Sequence, residues 1–134
     1  MITGTLPKRG TDGWGSGEFG ASRGTRRHKG IDYACYVGTL IESPVYGEVT
    51  KIGYQYANDL SYRYVQITDT KGNRHRLFYV EPLVKLGTKV LPGDVIGEAQ
   101  DIAGKYNDMD RGYMRNHIHY EILTEDGPVN PEKF

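Results

Sequence analysis

Residues 117–122 have the sequence His-Ile-His-Tyr-Glu-Ile, in which polar and apolar side chains alternate at every step. Successive side chains of a β-strand point to opposite faces, so the two histidines would share one face and Ile118, Tyr120 and Ile122 the other. The apolar face predicts a strand that covers a core. Of the two imidazoles, one can bind a metal ion while its neighbour, about 6.6 Å along the strand, reaches a substrate. The alternative is a pair of solvated histidines facing a neighbouring strand.

A second polar pattern, His28-Lys29-Gly30-Ile31-Asp32, lies near the start of the chain. Imidazole and carboxylate groups are both good zinc ligands. In a straight strand His28 and Asp32 would lie about 13 Å apart, too far to share an ion, so the chain must bend between them. A turn that uses Gly30 and enters a strand fits better than a helix, because this stretch is poor in helix formers. The alternative is a surface histidine near a turn or capping aspartate.

The two patterns contain three of the four histidines in the chain. That concentration makes chance a poorer explanation for the pair than for either pattern alone. Together they favour a metal site assembled from opposite ends of the sequence.

The composition predicts a mainly β protein with little helix. The 134 residues include 18 glycines, six prolines and 11 tyrosines, which favours short strands and tight turns. Residues 1–27 show no apolar period and predict an irregular N-terminal arm, and residues 100–116 predict a polar loop. The predicted strands are 31–36, 39–42, 45–56, 62–69, 74–81, 95–99 and 117–124, with a hairpin turn at 69–74.

Length and charge limit the classes of function. A chain of 134 residues predicts one domain spanning 1–134, which we expect to be a monomer. Seventeen basic and 17 acidic residues give no overall charge that would attract nucleic acid or a membrane surface. No window approaches the ~18 apolar residues of a membrane span, and Met1 to Gly10 lacks the pattern of an export signal. The single Cys35 cannot form an internal disulfide, and we expect it to be a buried small hydrophobe.

The sequence resembles the lysostaphin and LytM-type zinc endopeptidases, whose hallmarks are His-x-x-x-Asp and a later His-x-His. The resemblance covers nearly the whole chain in order: Ser16–Gly20, Arg26–Ala34, Gly38-Thr39, Pro44, Gly47–Val49, Gly53, Gly87–Gly97, His117–Ile122 and Asn130-Pro131. It implies an antiparallel β-sandwich similar to a duplicated hybrid motif. It also implies that His28, Asp32 and His119 bind Zn²⁺, that His117 is a catalytic histidine, and that the substrate is bacterial peptidoglycan peptide.

One position departs from the family pattern. Family members carry Tyr-x-His-Leu, whose histidine is a second catalytic imidazole, whereas the corresponding stretch here is Tyr79-Val80-Glu81-Pro82-Leu83. A carboxylate near a metal site is a competent general base, so Glu81 is a candidate catalytic residue. An ionised carboxylate cannot donate a hydrogen bond to an oxyanion, however. If the missing imidazole served only as that donor, its loss would cost about 10²- to 10³-fold in rate. The alternative is that Glu81 only pairs with an arginine.

Three functions follow as hypotheses. The leading one is a zinc endopeptidase that degrades the bacterial cell wall, and the absence of an export signal favours a bacteriophage endolysin, delivered by the virion or released at lysis. The second is a binding or regulatory module of the same fold that keeps the metal but cleaves little. The third interprets Gly87–Gly97 as a swinging-arm carrier hairpin, which is disfavoured because the chain lacks the Met-Lys tip that such carriers use.

Other residues have weaker claims to function. We interpret His75 as a solvated or packing histidine that shares a strand face with Leu77, Tyr79 and Glu81. The basic residues around the first pattern could bind carboxylates or belong to a solvated arm: Arg23, Arg26, Arg27 and Lys29. The tyrosines could line a peptide groove or pack on strands: Tyr54, Tyr56, Tyr62, Tyr64 and Tyr113. The Asn107–Asp110 run lacks the features of a calcium loop.

Overall fold

The computed structural model describes residues 6–12, 15–23, 26–107 and 114–134. Strands account for most of these residues, as the composition predicts. Their bounds are β1 Thr11–Asp12, β2 Gly15–Ser16, β3 Ser22–Arg23, β4 Arg26–Arg27, β5 Gly30–Ala34, β6 Leu40–Glu42, β7 Gly47–Tyr56, β8 Asp59–Asp69, β9 Arg74–Phe78, β10 Val80–Pro82, β11 Lys89–Val90, β12 Val95–Ala99, β13 His117–Thr124 and β14 Gly127–Val129. A 3-10 helix, Pro131–Lys133, lies close to the C-terminal end.

The main sheet is antiparallel and has seven strands. Its order is β11-β7-β8-β9-β13-β14, and β5 pairs with β13 on the same side as β14. Strand β13 therefore lies between β9 and β5. In this register His119 stands opposite Asp32 on one side and Phe78 on the other. The central position of β13 fixes the surroundings of both of its histidines.

The hydrophobic core lies on one face of the main sheet. A second antiparallel sheet, β10-β12-β6, contributes Ile41, Val80 and Ile96 to this core. The alternation of β13 buries Ile118, Tyr120 and Ile122 there, and each fully buried isoleucine contributes about 2 kcal/mol. The two sheets thus form the predicted sandwich, and the histidines of β13 lie on the opposite face of the main sheet.

The predicted polar loop at 100–116 is wrong in one part, because it contains the helix α1, Ile102–Tyr106. Asp101 caps this helix by accepting a hydrogen bond from the Gly104 amide at 2.7 Å. Five residues are too few to give the apolar period by which a helix is recognised in sequence. In the Asn107–Asp110 run, residues Asp108 to Asp110 lie outside the described residues. Tyr113 also lies outside them.

The predicted strand 74–81 is interrupted at Tyr79. Its φ of 67° is the one positive value of a non-glycine residue in the described chain. Here the chain leaves the main sheet at the end of β9 and enters the second sheet as β10. The prediction that Glu81 shares a strand face with His75 and Leu77 is therefore wrong, because the two segments belong to different sheets.

The N-terminal arm is less irregular than predicted. Its described residues include two short ribbons, β1 with β2 and β3 with β4. The arm also pairs with β5: the Arg9 amide donates to the Asp32 carbonyl at 2.8 Å, and the Asp32 amide donates to the Gly17 carbonyl at 2.9 Å. The arm therefore lies directly against the strand that carries Asp32. No helix in the described ranges has the length and apolar character needed to cross a membrane.

His75 is a packing histidine that is fully buried under the core face of the main sheet. The Tyr120 hydroxyl donates to its Nδ1 at 2.8 Å, and its Nε2–H donates to Asp69 Oδ2 at 2.9 Å. Both contacts suit a neutral ring with a single tautomer. Burial lowers the pKa of His75 below its ordinary 6.5, although Asp69 favours the charged form.

We expect the zinc-free protein to lose stability through His75 as the pH falls below about 6.5. The folded pKa lies below the unfolded one, so the unfolded chain binds the extra proton and acid favours unfolding. His75→Gln cannot titrate, and it should lower the free energy of unfolding by about 1–3 kcal/mol at neutral pH through imperfect pairing. Urea unfolding of both proteins at about pH 5 and about pH 7.5 checks this. An equal pH dependence in both proteins would contradict it.

Candidate metal centre

Three side chains from the two sequence patterns converge on one point. His28 Nε2 lies 2.9 Å from His119 Nδ1, which lies 2.9 Å from Asp32 Oδ1. The third side of this triangle, His28 Nε2 to Asp32 Oδ1, measures 3.3 Å. The three side chains are only 10%, 4% and 12% exposed for His28, Asp32 and His119. These atoms have the types and spacing of ligands around a single metal ion.

The main sheet and the arm position this cluster. Asp32 and His119 are direct cross-strand partners on β5 and β13, so their side chains leave the sheet side by side. His28 precedes β5, and the arm holds it there: its amide donates to the Ala21 carbonyl at 2.8 Å, and its carbonyl accepts from the Gly20 amide at 2.9 Å. The chain thus bends between His28 and Asp32, as the ligand distance requires.

Gly30 is needed for a reason that differs from the predicted turn. It already belongs to β5, and a Cβ atom there would lie 2.1 Å from the backbone oxygen of Tyr120 and 3.0 Å from His119 Cε1. Strand β13 passes too close for any side chain at this position. Glycine therefore allows the close strand pairing that brings Asp32 beside His119.

The ring nitrogens of His28 and His119 that point away from the cluster determine, through their hydrogen bonds, the protonation of the nitrogens that face its centre. His28 Nδ1 lies 2.9 Å from the Glu18 carbonyl, which can only accept, so this nitrogen carries the hydrogen. His119 Nε2 lies 2.9 Å from Glu121 Oε1 and donates in the same way. In neutral rings the two inner nitrogens then carry lone pairs, and these face each other and the Asp32 carboxylate. Three lone pairs at such distances require a shared proton or a cation.

The charge state of the cluster agrees with this requirement. Burial would raise the pKa of Asp32, but hydrogen bonds with His119 and His28 hold it well below its ordinary value, so the group is a carboxylate. Burial would lower the pKa of His119, but Asp32 and Glu121 raise it to about 9. A raised pKa means that a proton and a cation would compete for His119 Nδ1. Glu121 is also ionised, because hydrogen bonding to His119 outweighs the effect of burial and lowers its pKa.

His117 stands next to the cluster but makes different contacts. Its Nδ1–H donates to the Arg115 carbonyl at 2.8 Å, and its Nε2 lies 3.5 Å from Asp32 Oδ2. Burial lowers its pKa, so the ring is neutral near pH 7 with a lone pair on Nε2. The ring of Tyr79 packs edge-on against it, with centroids 5.7 Å apart. This imidazole can accept a proton beside the candidate metal ligands.

Glu81 is placed away from these contacts. Its side chain is 53% exposed and pairs with Arg63 Nη1 at 4.0 Å, and it accepts from Gln100 Nε2 at 3.3 Å. In the described part of the chain no hydrogen bond or ion pair connects Glu81 with the cluster. The geometry supports the alternative that Glu81 pairs with an arginine, and its catalytic role stays a prediction.

Sequence reasoning missed two residues that contact the cluster. Glu121 could have been found, because the alternation that pairs His117 with His119 also places Glu121 on the same face. Arg9 donates from Nη1 to Asp32 Oδ2 at 2.9 Å. No pattern in the neighbouring sequence indicated this role. The position of Arg9 depends on the path of the arm across β5, which no pattern in residues 1–27 encodes.

The remaining candidates lie elsewhere or are only partly described. Cys35 is half-buried against the core, and burial raises the pKa of its thiol to about 11, which suits a small hydrophobe and not a nucleophile. Lys29 is exposed, while the side chains of Arg23, Arg26 and Arg27 lie outside the description. The described tyrosines pack along β7 and β8 with basic partners, for example Arg63 over Tyr54 at 4.8 Å.

The fold and the three-donor cluster together define a β-sandwich protein with a candidate metal site. Residues 26–131 match the sequence profile of Peptidase family M23, and they make up most of the chain. The chain therefore belongs to Peptidase family M23.

Solved structures show the same fold. The catalytic domain of the antimicrobial peptidase lysostaphin from Staphylococcus simulans matches with a TM-score of 0.70 at 18% identity, over 98% of this chain and 93% of that one. The catalytic domain of a mutant of the prophage-encoded M23 protein EnpA from Enterococcus faecalis matches with a TM-score of 0.65 at 24% identity, over 86% and 85% of the two chains. In sequence, the chain is similar to the leukocyte cell-derived chemotaxin-2 of Mus musculus. The two are 23% identical over 118 residues, which cover 88% of this chain and 74% of that protein.

Proposed function

We propose that this protein is a zinc-dependent endopeptidase that hydrolyses peptide bonds in bacterial peptidoglycan. In this proposal His28, Asp32 and His119 bind the zinc ion and His117 acts on the substrate. The observation that carries the proposal is the convergence of two imidazole nitrogens and one carboxylate oxygen within hydrogen-bond distance. Membership of a peptidase family supports the reaction class.

The donor set favours zinc over other common ions. Two nitrogens and one carboxylate oxygen suit zinc, whereas calcium and magnesium prefer oxygen ligands alone. Three protein ligands leave one coordination position open, which is typical of catalytic and not of structural zinc. A zinc ion bound there would polarise a peptide carbonyl and lower the pKa of a water molecule to about 7.

The side chains around the cluster supply the proton transfers. His117 Nε2 is neutral and unprotonated, so it can accept the proton of the attacking water and then, as an imidazolium, donate to the leaving amine. The Arg115 carbonyl fixes the tautomer that this role needs. In the same way, Glu121 fixes the tautomer of His119, and the Glu18 carbonyl fixes the tautomer of His28.

A prediction follows for Glu81. We expect Glu81→Gln to change the rate of cell-wall hydrolysis by less than about fivefold, because it removes only an exposed ion pair, a contact worth about 0–1 kcal/mol. A loss of about 10²-fold or more would instead identify Glu81 as the general base. Initial rates on dyed cell walls, compared with a Glu48→Gln control on the exposed side of β7, distinguish the two outcomes.

The second candidate is a module that keeps the metal but does not cleave. The glutamate at position 81 favours it, because the family resemblance expects a second imidazole there. Similarity to a protein named as a chemotaxin also favours it. Such a module would bind cell walls without releasing fragments.

The place of action is part of the proposal. A peptidoglycan substrate implies action on the cell wall, and we propose delivery by a bacteriophage. The similarity to a prophage-encoded protein is in keeping with that origin.

Dye release from purified bacterial walls tests the function. We expect the protein to release dye, a chelator to stop the release, and added zinc to restore it. Mass analysis of the fragments should show new amino and carboxyl ends within the stem or bridge peptides, which identifies the bond. Wall binding without fragments would support the non-cleaving module, and chelator-resistant release would contradict the metal mechanism.

A further inference from the structure

Arg9 is a buried cation beside the metal centre. Its side chain is only 3% exposed, and its Nη1 donates to Asp32 Oδ2 at 2.9 Å. Asp32 Oδ2 is the oxygen that does not lie in the triangle with His28 and His119. Arg9 therefore engages one oxygen of the carboxylate and leaves Oδ1 directed at the cluster.

Asp12 holds Arg9 in this orientation. Arg9 Nε donates to Asp12 Oδ2 at 2.9 Å and Arg9 Nη2 donates to Asp12 Oδ1 at 2.7 Å, a two-point contact that fixes the plane of the guanidinium group. The side chains of both residues are almost completely buried. Asp12 therefore fixes the direction in which Arg9 reaches Asp32.

Asp12 is also connected to His117 through the backbone of Arg115. Asp12 Oδ2 also accepts the Arg115 amide at 3.0 Å, and the Arg115 carbonyl accepts the Nδ1–H of His117 at 2.8 Å. His117 Nε2 then returns to within 3.5 Å of Asp32 Oδ2. The contacts form a closed ring from Asp32 through Arg9, Asp12 and Arg115 to His117.

The packing around Arg9 leaves little freedom for this ring. A Cβ atom on Gly17 would lie 2.9 Å from Asp32 Cβ and 3.0 Å from Arg9 Cβ, so only glycine fits between them. The backbone adds a hydrogen bond from the Arg9 amide to the Asp32 carbonyl. Arg9 is therefore tied to Asp32 through both its backbone and its side chain.

We propose that Arg9 and Asp12 form an arm clamp that positions both the metal-binding carboxylate and the catalytic imidazole. The inference rests on the proposed zinc function. The clamp lies before the matched family region, which begins at residue 26, and it gives the N-terminal arm a role in the site. Arg9 and Asp12 are positioning residues, since neither is among the three donors. Groups that orient metal ligands in this way typically change affinity by about 10- to 100-fold.

Lysine cannot replace Arg9 in this clamp. The guanidinium group contacts Asp12 with two nitrogens and Asp32 with a third, whereas an ammonium group is a single point of charge. Arg9→Lys keeps the positive charge but loses the planar group whose three nitrogens contact Asp12 and Asp32. It therefore separates the geometry of the clamp from its charge.

The test measures zinc affinity of the full chain by competition with a chromophoric chelator, together with the melting temperature of the metal-free protein and the rate of dye release. We expect Arg9→Met to weaken zinc binding by about 10- to 100-fold and Arg9→Lys and Asp12→Asn to weaken it by about 3- to 30-fold. Lys8→Met is the matched control, since Lys8 is a neighbouring arm cation whose ion pairs with Glu18 and Glu132 lie at the surface. It should keep wild-type zinc affinity.

Each outcome decides the proposal. Wild-type zinc affinity in Arg9→Met overturns the clamp, including the case in which only the melting temperature falls. If Arg9→Met does not fold, Arg9→Lys and Asp12→Asn decide by the same criterion. Zinc affinity that falls as expected in a protein that releases no dye supports the clamp and contradicts only the proposed hydrolysis. A wild-type protein that binds no zinc overturns both.

Discussion

His119→Ala is expected to lower zinc affinity by about 10²- to 10³-fold and to reduce wall hydrolysis to the level of the zinc-free protein. The size follows from losing one of three ligands in a site whose total binding free energy is on the order of 10 kcal/mol. The effect is specific because His119 Nδ1 lies within 2.9 Å of both other donors. Competition with a chelator and dye release from cell walls measure the two losses.

His75→Gln is the control for this substitution. His75 is also a buried histidine, but it lies on the core face and contacts Tyr120 and Asp69. At a temperature below its melting transition it should keep wild-type zinc affinity and hydrolysis. If His119→Ala retained both zinc and hydrolysis, the ligand assignment would be wrong.

His117→Gln is expected to separate catalysis from metal binding. Glutamine can still donate to the Arg115 carbonyl, but it has no basic nitrogen, so hydrolysis should fall by about 10²- to 10⁴-fold. Zinc affinity should stay within about fivefold of wild type, because His117 is not one of the three converging donors. The same two assays measure both quantities.

Other effects of His117→Gln on hydrolysis and zinc affinity would change the role assigned to His117. Full hydrolysis by His117→Gln would show that another group accepts the proton, with Glu81 as the next candidate. A large loss of zinc affinity would show that His117 is itself a ligand.

The alternation in residues 117–122 was enough to predict the strand, its buried face and the pairing of two histidines on the other face. The bend between His28 and Asp32 followed from the length of a strand compared with a zinc bond. What the residues alone could not supply was the register of β5 against β13, since these strands come from opposite ends of the chain. That pairing brings Asp32 opposite His119.

Other features of the site depend on contacts that no local pattern contains. Gly30 fits a turn in sequence, yet in the structure it allows the close approach of the Tyr120 backbone. Tyr79 marks the crossing between sheets, and its positive φ has no signature in the surrounding residues. Arg9 reaches Asp32 only because the arm is paired with β5. Each of these follows from long-range packing and not from periodicity.

The most direct test of the account is a zinc titration of the chelator-stripped protein, followed by release of peptide fragments from purified walls. The cluster of His28, Asp32 and His119 predicts that hydrolysis is absent without metal and returns to a plateau at about one zinc ion per chain. It also predicts no recovery in His119→Ala at the same zinc concentrations. Undiminished fragment release by the stripped protein would contradict the account.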